Sequence, residues 1–442
     1  MLTQVDALLH ARWIVPVDDK QSILEHHSIA IHQGKILDIL PTDQIHQCYS
    51  SKHDQNLENQ LLMPGLINAH GHAAMSLFRG LADDLELMTW LQEHIWPAES
   101  KWVSPDFVRD GTRLAIAEML RSGTTCFSDM YFYPDIAAET VTELNMRAQI
   151  CCPILDFPTP WAKDADEGIH KALKVNAAQR HNPLVKIAFG PHAPYTVSDE
   201  PLRKLASLQE ELQIPIQMHL HETAFEVTEA EKQGLRPIAR LEQLGILGPH
   251  FQAVHVTQAN TEDLLTLARY DVKVVHCPES NLKLASGFCP VDKMQKAGIT
   301  VALGTDGAAS NNDLDLFGEM QTAAQLAKAV AGDAAAVPAF EAIRMATLNG
   351  AIALGIDDIT GSLVKGKAAD IIAIDMSRLE TLPVYNPISQ LVYTRMADKV
   401  KHVWVNGKIL VRDGILTQID TEKLKQQARQ WGEKIRAGDS HD

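Results

Sequence analysis

From residue 61 to residue 306 the chain alternates dense apolar runs with longer stretches whose apolar positions recur every three or four residues. The runs are LLMPGLINAH (61–70), TTCFSDM (124–130), RAQICCPIL (147–155) and VKIAFGPH (185–192). They continue with IPIQMHLHE (214–222), FQAVHV (251–256), DVKVVHCP (271–278) and ITVALGTD (299–306). Continuous apolar runs predict parallel strands buried on both faces, because such strands have no solvent side to mark with polar residues. The intervening stretches, such as DFVRDGTRLAIAEMLRSG and EPLRKLASLQEELQ, have the spacing of amphipathic helices and often end at Gly. Eight such repeats predict an α/β fold of the (β/α)8, TIM-barrel type.

The two ends of the chain carry a different rhythm. SIAIHQGKILDIL (28–40) and VKHVWVNGKILVR (400–412) alternate apolar and polar residues around QG and NG turns, and DIIAID (370–375) adds a further strand. Period-two alternation broken by such a dipeptide is a hairpin signal. Both termini are therefore expected to build one small β-sandwich, residues 1–60 and 366–442, with the barrel inserted at 61–365. The last segment, TEKLKQQARQWGEKIRAG, places Leu424, Ala428, Trp431 and Ile435 on one helical face, available for docking and leaving a homo-oligomer open.

Composition narrows the classes. A chain of 442 residues suits a large core with an accessory domain, and 45 % apolar with 22 % charged residues is an ordinary globular balance. A net charge of −16 argues against nucleic acid or another polyphosphate as partner, but not against a small neutral or zwitterionic substrate. No signal-peptide pattern opens the sequence, and no run of about 18 apolar residues is present to span a membrane. Six cysteines without a CxxC indicate neither a disulfide framework nor a thiolate zinc site. Cys151 and Cys152 read as inert core thiols, and the chain as cytoplasmic.

The candidate chemistry begins with His70 and His72. With 19 histidines in the chain, about 0.8 His-x-His pairs arise by chance, so the pair alone proves nothing. Position changes its weight. Chemistry in a (β/α)8 barrel sits at the C-terminal ends of the strands, and five of the eight runs end at or near His70/His72, His192, His219/Glu222, His255 and Asp306. In a strand, residues i and i+2 share a side, so His70 and His72 can approach one ion together. His219 and Asp306 can complete a set of imidazole and carboxylate ligands with one position left for water, as catalytic zinc requires. Spacing alone leaves His221 as an alternative to His219, and His276 reads as a loop anchor or a support to the ligands.

PGLINAHGHAAMSLFRGLADDL, WPAE, MHLHET and GTDGAASNNDLDLFGEM resemble the amidohydrolase superfamily. Within it they resemble the deaminases of S-adenosylhomocysteine and 5′-methylthioadenosine, a branch that also contains chlorohydrolases of triazine-like substrates. The resemblance covers nearly the whole chain. It implies His70, His72, His219 and Asp306 as ligands of one divalent metal, zinc by preference, with iron or manganese suited to the same donors. It implies Glu222 as proton shuttle, with Asp306 also passing a proton. His255 would orient or polarise the attacking water. Glu99 and His192, together with Glu222 and Asp306, would contact the substrate, Glu99 by gripping the ribose.

The implied reaction is hydrolytic deamination of the adenine ring of a thioether nucleoside, and the alternatives are a deaminase of guanine or another free base and a triazine chlorohydrolase. Superfamily members with two metals use a lysine at the end of strand four. Here Lys186 lies at the beginning of that run, which favours one metal. The H-x-E with P-C-x-x-C pattern of the cytidine-type zinc deaminases is missing. ICCPILDFP carries no arginine to meet a homocysteine carboxylate, since Arg147 precedes it at the wrong rim. That tilts the expectation toward 5′-methylthioadenosine, with Leu85, Met88 and Trp90 as candidates to line an apolar pocket. A non-catalytic scaffold is the reading from another class, and the full set of ligands and acid–base groups argues against it.

Overall fold

Pro64 and Gly65 divide the first apolar run between two sheets. In this computed structural model, which describes residues 2–439, the strand Asp54–Pro64 belongs to a sheet built from both chain ends, and the barrel starts only at Leu66. A Cβ at Gly65 would stand 2.1 Å from the Thr125 side chain, so the crossing needs glycine.

The barrel strands are β1 (Leu66–Asn68), β2 (Thr124–Met130), β3 (Arg147–Ile154), β4 (Val185–Pro191), β5 (Ile216–Leu220), β6 (Phe251–His255), β7 (Lys273–His276) and β8 (Val301–Leu303). Each hydrogen-bonds its sequence neighbours in parallel. Ala69 N–H donates to Leu303 O at 2.8 Å, and Asp306 N–H to His70 O at 3.1 Å, closing the barrel. The closure thus runs through two of the expected metal ligands. Gly304 permits it, since a Cβ there would meet the His70 backbone at 2.8 Å.

The terminal sheet has eight strands in the order Ile415–Leu416, Lys408–Arg412, Val400–Val405, Ile371–Asp375, Asp54–Pro64, Ala7–Ile14, Leu24–His32 and Lys35–Pro41. Both expected hairpins are present. Gln33–Gly34 and Asn406–Gly407 all have positive φ, the signature of type I′ turns. The sandwich is one continuous sheet folded over a shared core of residues such as Leu9, Ile29, Leu62, Ile371 and Trp404. Its two turns meet, with Ala369 donating to Gly34 O and accepting from Gly407 N–H.

Two contacts fix this sheet and the C-terminal helix to the barrel. Arg147, at the base of β3, pairs with Asp370 at 2.9 Å, and both side chains are buried. The helix Thr421–Asp439 lays Leu424 and Ile435 into the core, stacks Trp431 edge-on against Phe107 at 5.3 Å, and donates from Trp431 Nε1 to Asp110. The apolar face read as available for docking is thus used within the chain, because the barrel helix Pro105–Arg121 presents a matching surface.

Candidate active site

His70 and His72 follow β1, His219 lies in β5, and Asp306 follows β8. One donor atom from each lies within 4.8 Å of all the others. Asp306 Oδ1 is 3.4 Å from His70 Nε2 and 3.1 Å from His72 Nε2. Each imidazole is held through its other nitrogen. Nδ1 of His70 meets Gln217 Oε1 at 2.7 Å, Nδ1 of His72 meets Met130 O at 2.6 Å, and Nδ1 of His219 meets His192 O at 2.7 Å. These oxygens can only accept, so Nδ1 carries the proton and Nε2 presents its lone pair inward, the state a metal needs. His70 Nε2 is fully buried and has no hydrogen-bond partner. Asp306 Oδ2 accepts from Ser280 at 2.7 Å and Ser310 at 2.9 Å, which leaves Oδ1 for the ion. The donor set fits one divalent metal of the zinc type.

Electrostatics support the same geometry. Burial works to raise the Asp306 carboxyl, but the facing imidazoles of His70 and His72 outweigh it and hold its pKa well below the ordinary value. Glu222 lacks such help. Burial pushes it up to about 8, with the Asp306 charge adding to the rise and His72 opposing it. Its Oε1 stands 3.8 Å from His255 Nε2. His255 Nδ1 donates to Asn281 Oδ1 at 2.9 Å, so its Nε2 faces the site as an acceptor. His255, Val256 and Asp306 all have positive φ, and such backbone strain clusters at functional sites.

Three of the ligands, His72, His219 and Asp306, line a chamber of about 80 Å³ that also includes Glu222, His255, Leu87 and Trp90. Beside it opens a cavity of about 530 Å³ walled by Phe132, Tyr133, Leu155 and Phe157, whose lining includes no Lys or Arg. His72, Trp96, Glu99 and His192 belong to both walls. Glu99 lies on the helix Trp96–Trp102, which continues from a π-helical turn at Trp90–Ile95. π-turns inside helices are frequent at functional sites. Burial raises Glu99 to about 7, against the opposing pull of Tyr131 and His72. His192 Nδ1 meets Thr196 Oγ1 at 3.1 Å, and that hydroxyl donates to Ala193 O, so His192 Nε2 is left to accept. Burial, then His72 and His70, bring its pKa down to about 4.

All the expected site residues therefore converge at one end of the barrel. Other expectations resolve differently. Trp90 lines the chamber, whereas Leu85 and Met88 pack against the core and are not in its wall. His221 would share His219's side if the strand continued, but β5 stops at Leu220 and His221 takes φ 52°. Its Nε2 then accepts from Ile238 N–H, away from the metal ligands. Lys186 donates to Leu354 O and Gly355 O at the opposite rim. His276 is buried and its Nδ1 has no hydrogen-bond partner. The thiols of Cys151 and Cys152 are buried and pushed upward by that burial, Cys151 to about 12, consistent with inertness.

Sequence reasoning passed over the supports. Gln217, Ser280, Ser310 and Asn281 hold the groups described above. Asp129 accepts from Ala73 N–H at 2.7 Å and fixes the turn after His72. Glu226 accepts from the backbone N–H of His221 and of Glu222, each at 2.9 Å. A signal for Glu226 was present, because Thr223-x-x-Glu226 reads as a capping box. The threonine does cap Glu226 N–H, but the carboxylate reaches further back, to the residue at the reaction centre.

A metal-dependent hydrolase built on a (β/α)8 barrel is the class that this fold and donor set define. The chain belongs to the amidohydrolase family, whose model matches residues 61–410. It is 56 % identical over 436 residues to the 5-methylthioadenosine/S-adenosylhomocysteine deaminase of Saccharophagus degradans, covering 98 % of each chain. Among solved structures it resembles an adenosine deaminase from Xanthomonas campestris with bound zinc, at 46 % identity and a TM-score of 0.98, covering 99 % of this chain and 100 % of that one. A zinc complex of atrazine chlorohydrolase from Arthrobacter aurescens matches at 24 % identity and a TM-score of 0.90 over 96 % of this chain and 99 % of that one, which shows the shared fold alone.

Proposed function

We propose that this chain deaminates the adenine ring of a thioether nucleoside, 5′-methylthioadenosine ahead of S-adenosylhomocysteine, to the inosine analogue and ammonia. The observation that carries the reading is Glu99, a buried carboxylate in the wall shared by the ligand chamber and the apolar cavity. An ionised carboxylate has two acceptor oxygens for the two ribose hydroxyls. The aromatic and apolar wall beyond it suits a methylthio group, and the absence of Lys and Arg from that lining leaves a homocysteine carboxylate without a cation. The chain's similarity to the Saccharophagus degradans deaminase supports the same reading.

A divalent metal held by His70, His72, His219 and Asp306 supplies Lewis acidity that brings the pKa of water from about 15.7 to about 7. Glu222 takes the proton of the attacking water and delivers it to the ring nitrogen beside C6, which makes that carbon electrophilic. A carboxyl pushed up to about 8 is suited to holding that proton at neutral pH. His255 Nε2 accepts from the water and orients it. Asp306 takes the second proton of that water, by then the hydroxyl on C6, and passes it to the amino group as the C6–N bond breaks and ammonia leaves, and His192 Nε2 accepts a hydrogen bond from the substrate. With the barrel beginning at Leu66, this chemistry lies wholly in the barrel and none of it in the terminal sheet. The free state of all six cysteines fits a cytoplasmic enzyme, and no described helix is long and apolar enough to cross a membrane.

The test is an ammonia-release assay across 5′-methylthioadenosine, S-adenosylhomocysteine, adenosine, guanine and a chloro-triazine, repeated with Glu99→Gln. The expected result is highest kcat/KM on 5′-methylthioadenosine and a loss of about 10-fold or more for nucleosides in the variant, as for a charged hydrogen-bonding partner. Equal turnover of every accepted substrate by the variant would remove the ribose contact and the nucleoside assignment with it.

A further inference from the structure

A second group of metal-type donors lies on the terminal sheet, in strands and a helix that contribute nothing to the barrel site. His10 stands in the strand Ala7–Ile14, His46 in the last turn of the helix Thr42–Cys48, and Asp54 opens the strand Asp54–Pro64. One donor atom from each lies within 4.8 Å of the other two. Asp54 sits between the imidazoles and offers each a different oxygen. Oδ1 is 2.5 Å from His10 Nε2 and Oδ2 is 3.7 Å from His46 Nε2.

The anchoring of His10 makes this more than a surface ion pair. Ser28 Oγ, fully buried, stands 2.6 Å from His10 Nδ1 and 3.0 Å from Thr42 Oγ1, so the ring is held through Nδ1 and turns Nε2 toward the carboxylate. Gln217 holds His70 in the same way, through Nδ1, with Nε2 left to face a ligand. Ligand atoms bound at about 2.0–2.1 Å in a tetrahedral site stand about 3.3 Å apart. The His10–Asp54 contact would open and the His46 contacts would close by well under the reach of their χ rotations. His46 and Asp54 are free to make that move, at 57 % and 42 % side-chain exposure, while His10 is the buried anchor.

We propose that His10, His46 and Asp54 form a second binding site for a divalent metal of the zinc type, with three protein ligands and the remaining position open to water. Two imidazoles and one carboxylate favour zinc over magnesium, which takes oxygen ligands and holds its water. The ion ties together the strand Ala7–Ile14, the helix Thr42–Cys48 and the strand Asp54–Pro64. Three ligands with two exposed side chains make it weaker and more exchangeable than the fully buried barrel site.

The test uses the full chain without a histidine tag, stripped with a chelator and then titrated with Zn2+ by calorimetry, with bound metal counted by elemental analysis after gel filtration. The expected result is two equivalents in the wild type, the second the weaker, and no second equivalent with Mg2+. His46→Ala and Asp54→Asn should each lower the second affinity by 10-fold or more and leave ammonia release by the zinc-loaded enzyme unchanged. Both positions are exposed, so the variants are expected to fold. An anomalous peak at the zinc edge between His10, His46 and Asp54 would place the ion directly. A single equivalent in the wild type, or a second equivalent that survives both substitutions, would overturn the proposal and leave a hydrogen-bonded His10–Asp54 pair. Because the readout is stoichiometry at the terminal sheet, failure here would leave the reading of the barrel site untouched.

Discussion

The two rims of the barrel both bury charged groups, and they treat them in opposite ways. At the lower rim Arg147 and Asp370 are paired, and Asp370 also accepts from Asn406 N–H at 2.6 Å. Burial works against the Arg147 charge, but Asp370 more than offsets it and raises the pKa. Lys186 beside them finds two carbonyls. At the upper rim Glu222 and Glu99 are buried with no Lys or Arg partner, and both are pushed upward. His70 Nε2 is buried and makes no hydrogen bond. A fold that needs buried charge for cohesion satisfies it; one that needs a proton carrier and a metal leaves donors and acceptors open. The lower rim joins two sheets, and the upper rim does the chemistry.

The contrast can be broken by substitution. The largest effect is expected at Glu222→Gln, which keeps the shape and removes the exchangeable proton: ammonia release should fall by about 10²–10⁴-fold with zinc content retained. Arg147→Ala should instead cost about 3–5 kcal/mol of stability by stranding the Asp370 charge, read as a lower midpoint in denaturant. The surviving folded fraction should keep its kcat/KM. A smaller effect belongs to Gln217→Leu, which frees His70 Nδ1. Zinc affinity, measured by competition with a chelator, should weaken by about 10–100-fold. If Arg147→Ala reduced kcat as strongly as Glu222→Gln, the division of labour between the rims would fail.

How much of this was legible in the chain follows from what marks a residue out. The eight runs could be read because burial on both faces makes a parallel strand apolar throughout, and the ligands because His and Asp stood at the ends of those runs. The break inside LLMPGLINAH could not be read, since strands of both sheets are apolar there and only the Gly65–Thr125 approach separates them. The layer beneath the metal site was equally hidden. Gln149 donates to Gln252 at 2.8 Å, and Gln217 to Gln252 at 2.7 Å and to Ala69 O at 3.0 Å. Each is a polar residue set among apolar ones in its strand, and nothing in the sequence says that they meet. His221 was ambiguous because alternation holds only while the strand lasts, and its left-handed φ comes from tertiary packing. The docking face of the C-terminal helix was visible, but its occupant, the chain's own barrel helix, was not.

The upper rim holds carboxylates in a state that costs stability and serves catalysis. Glu222 tests it through thermal unfolding of the metal-free protein between pH 5 and 8.5. Its folded pKa, about 8, lies above its ordinary value of 4.5, so its ionisation favours the unfolded chain. That penalty is absent below about 4.5, grows as pH rises, and levels off above about 8. Glu222→Gln should therefore melt with the wild type near pH 5 and several degrees above it at pH 8, while ammonia release from the zinc-loaded variant is lost. A variant that melts below the wild type at pH 8 would show that the ionised Glu222 stabilises the fold, and would contradict the account.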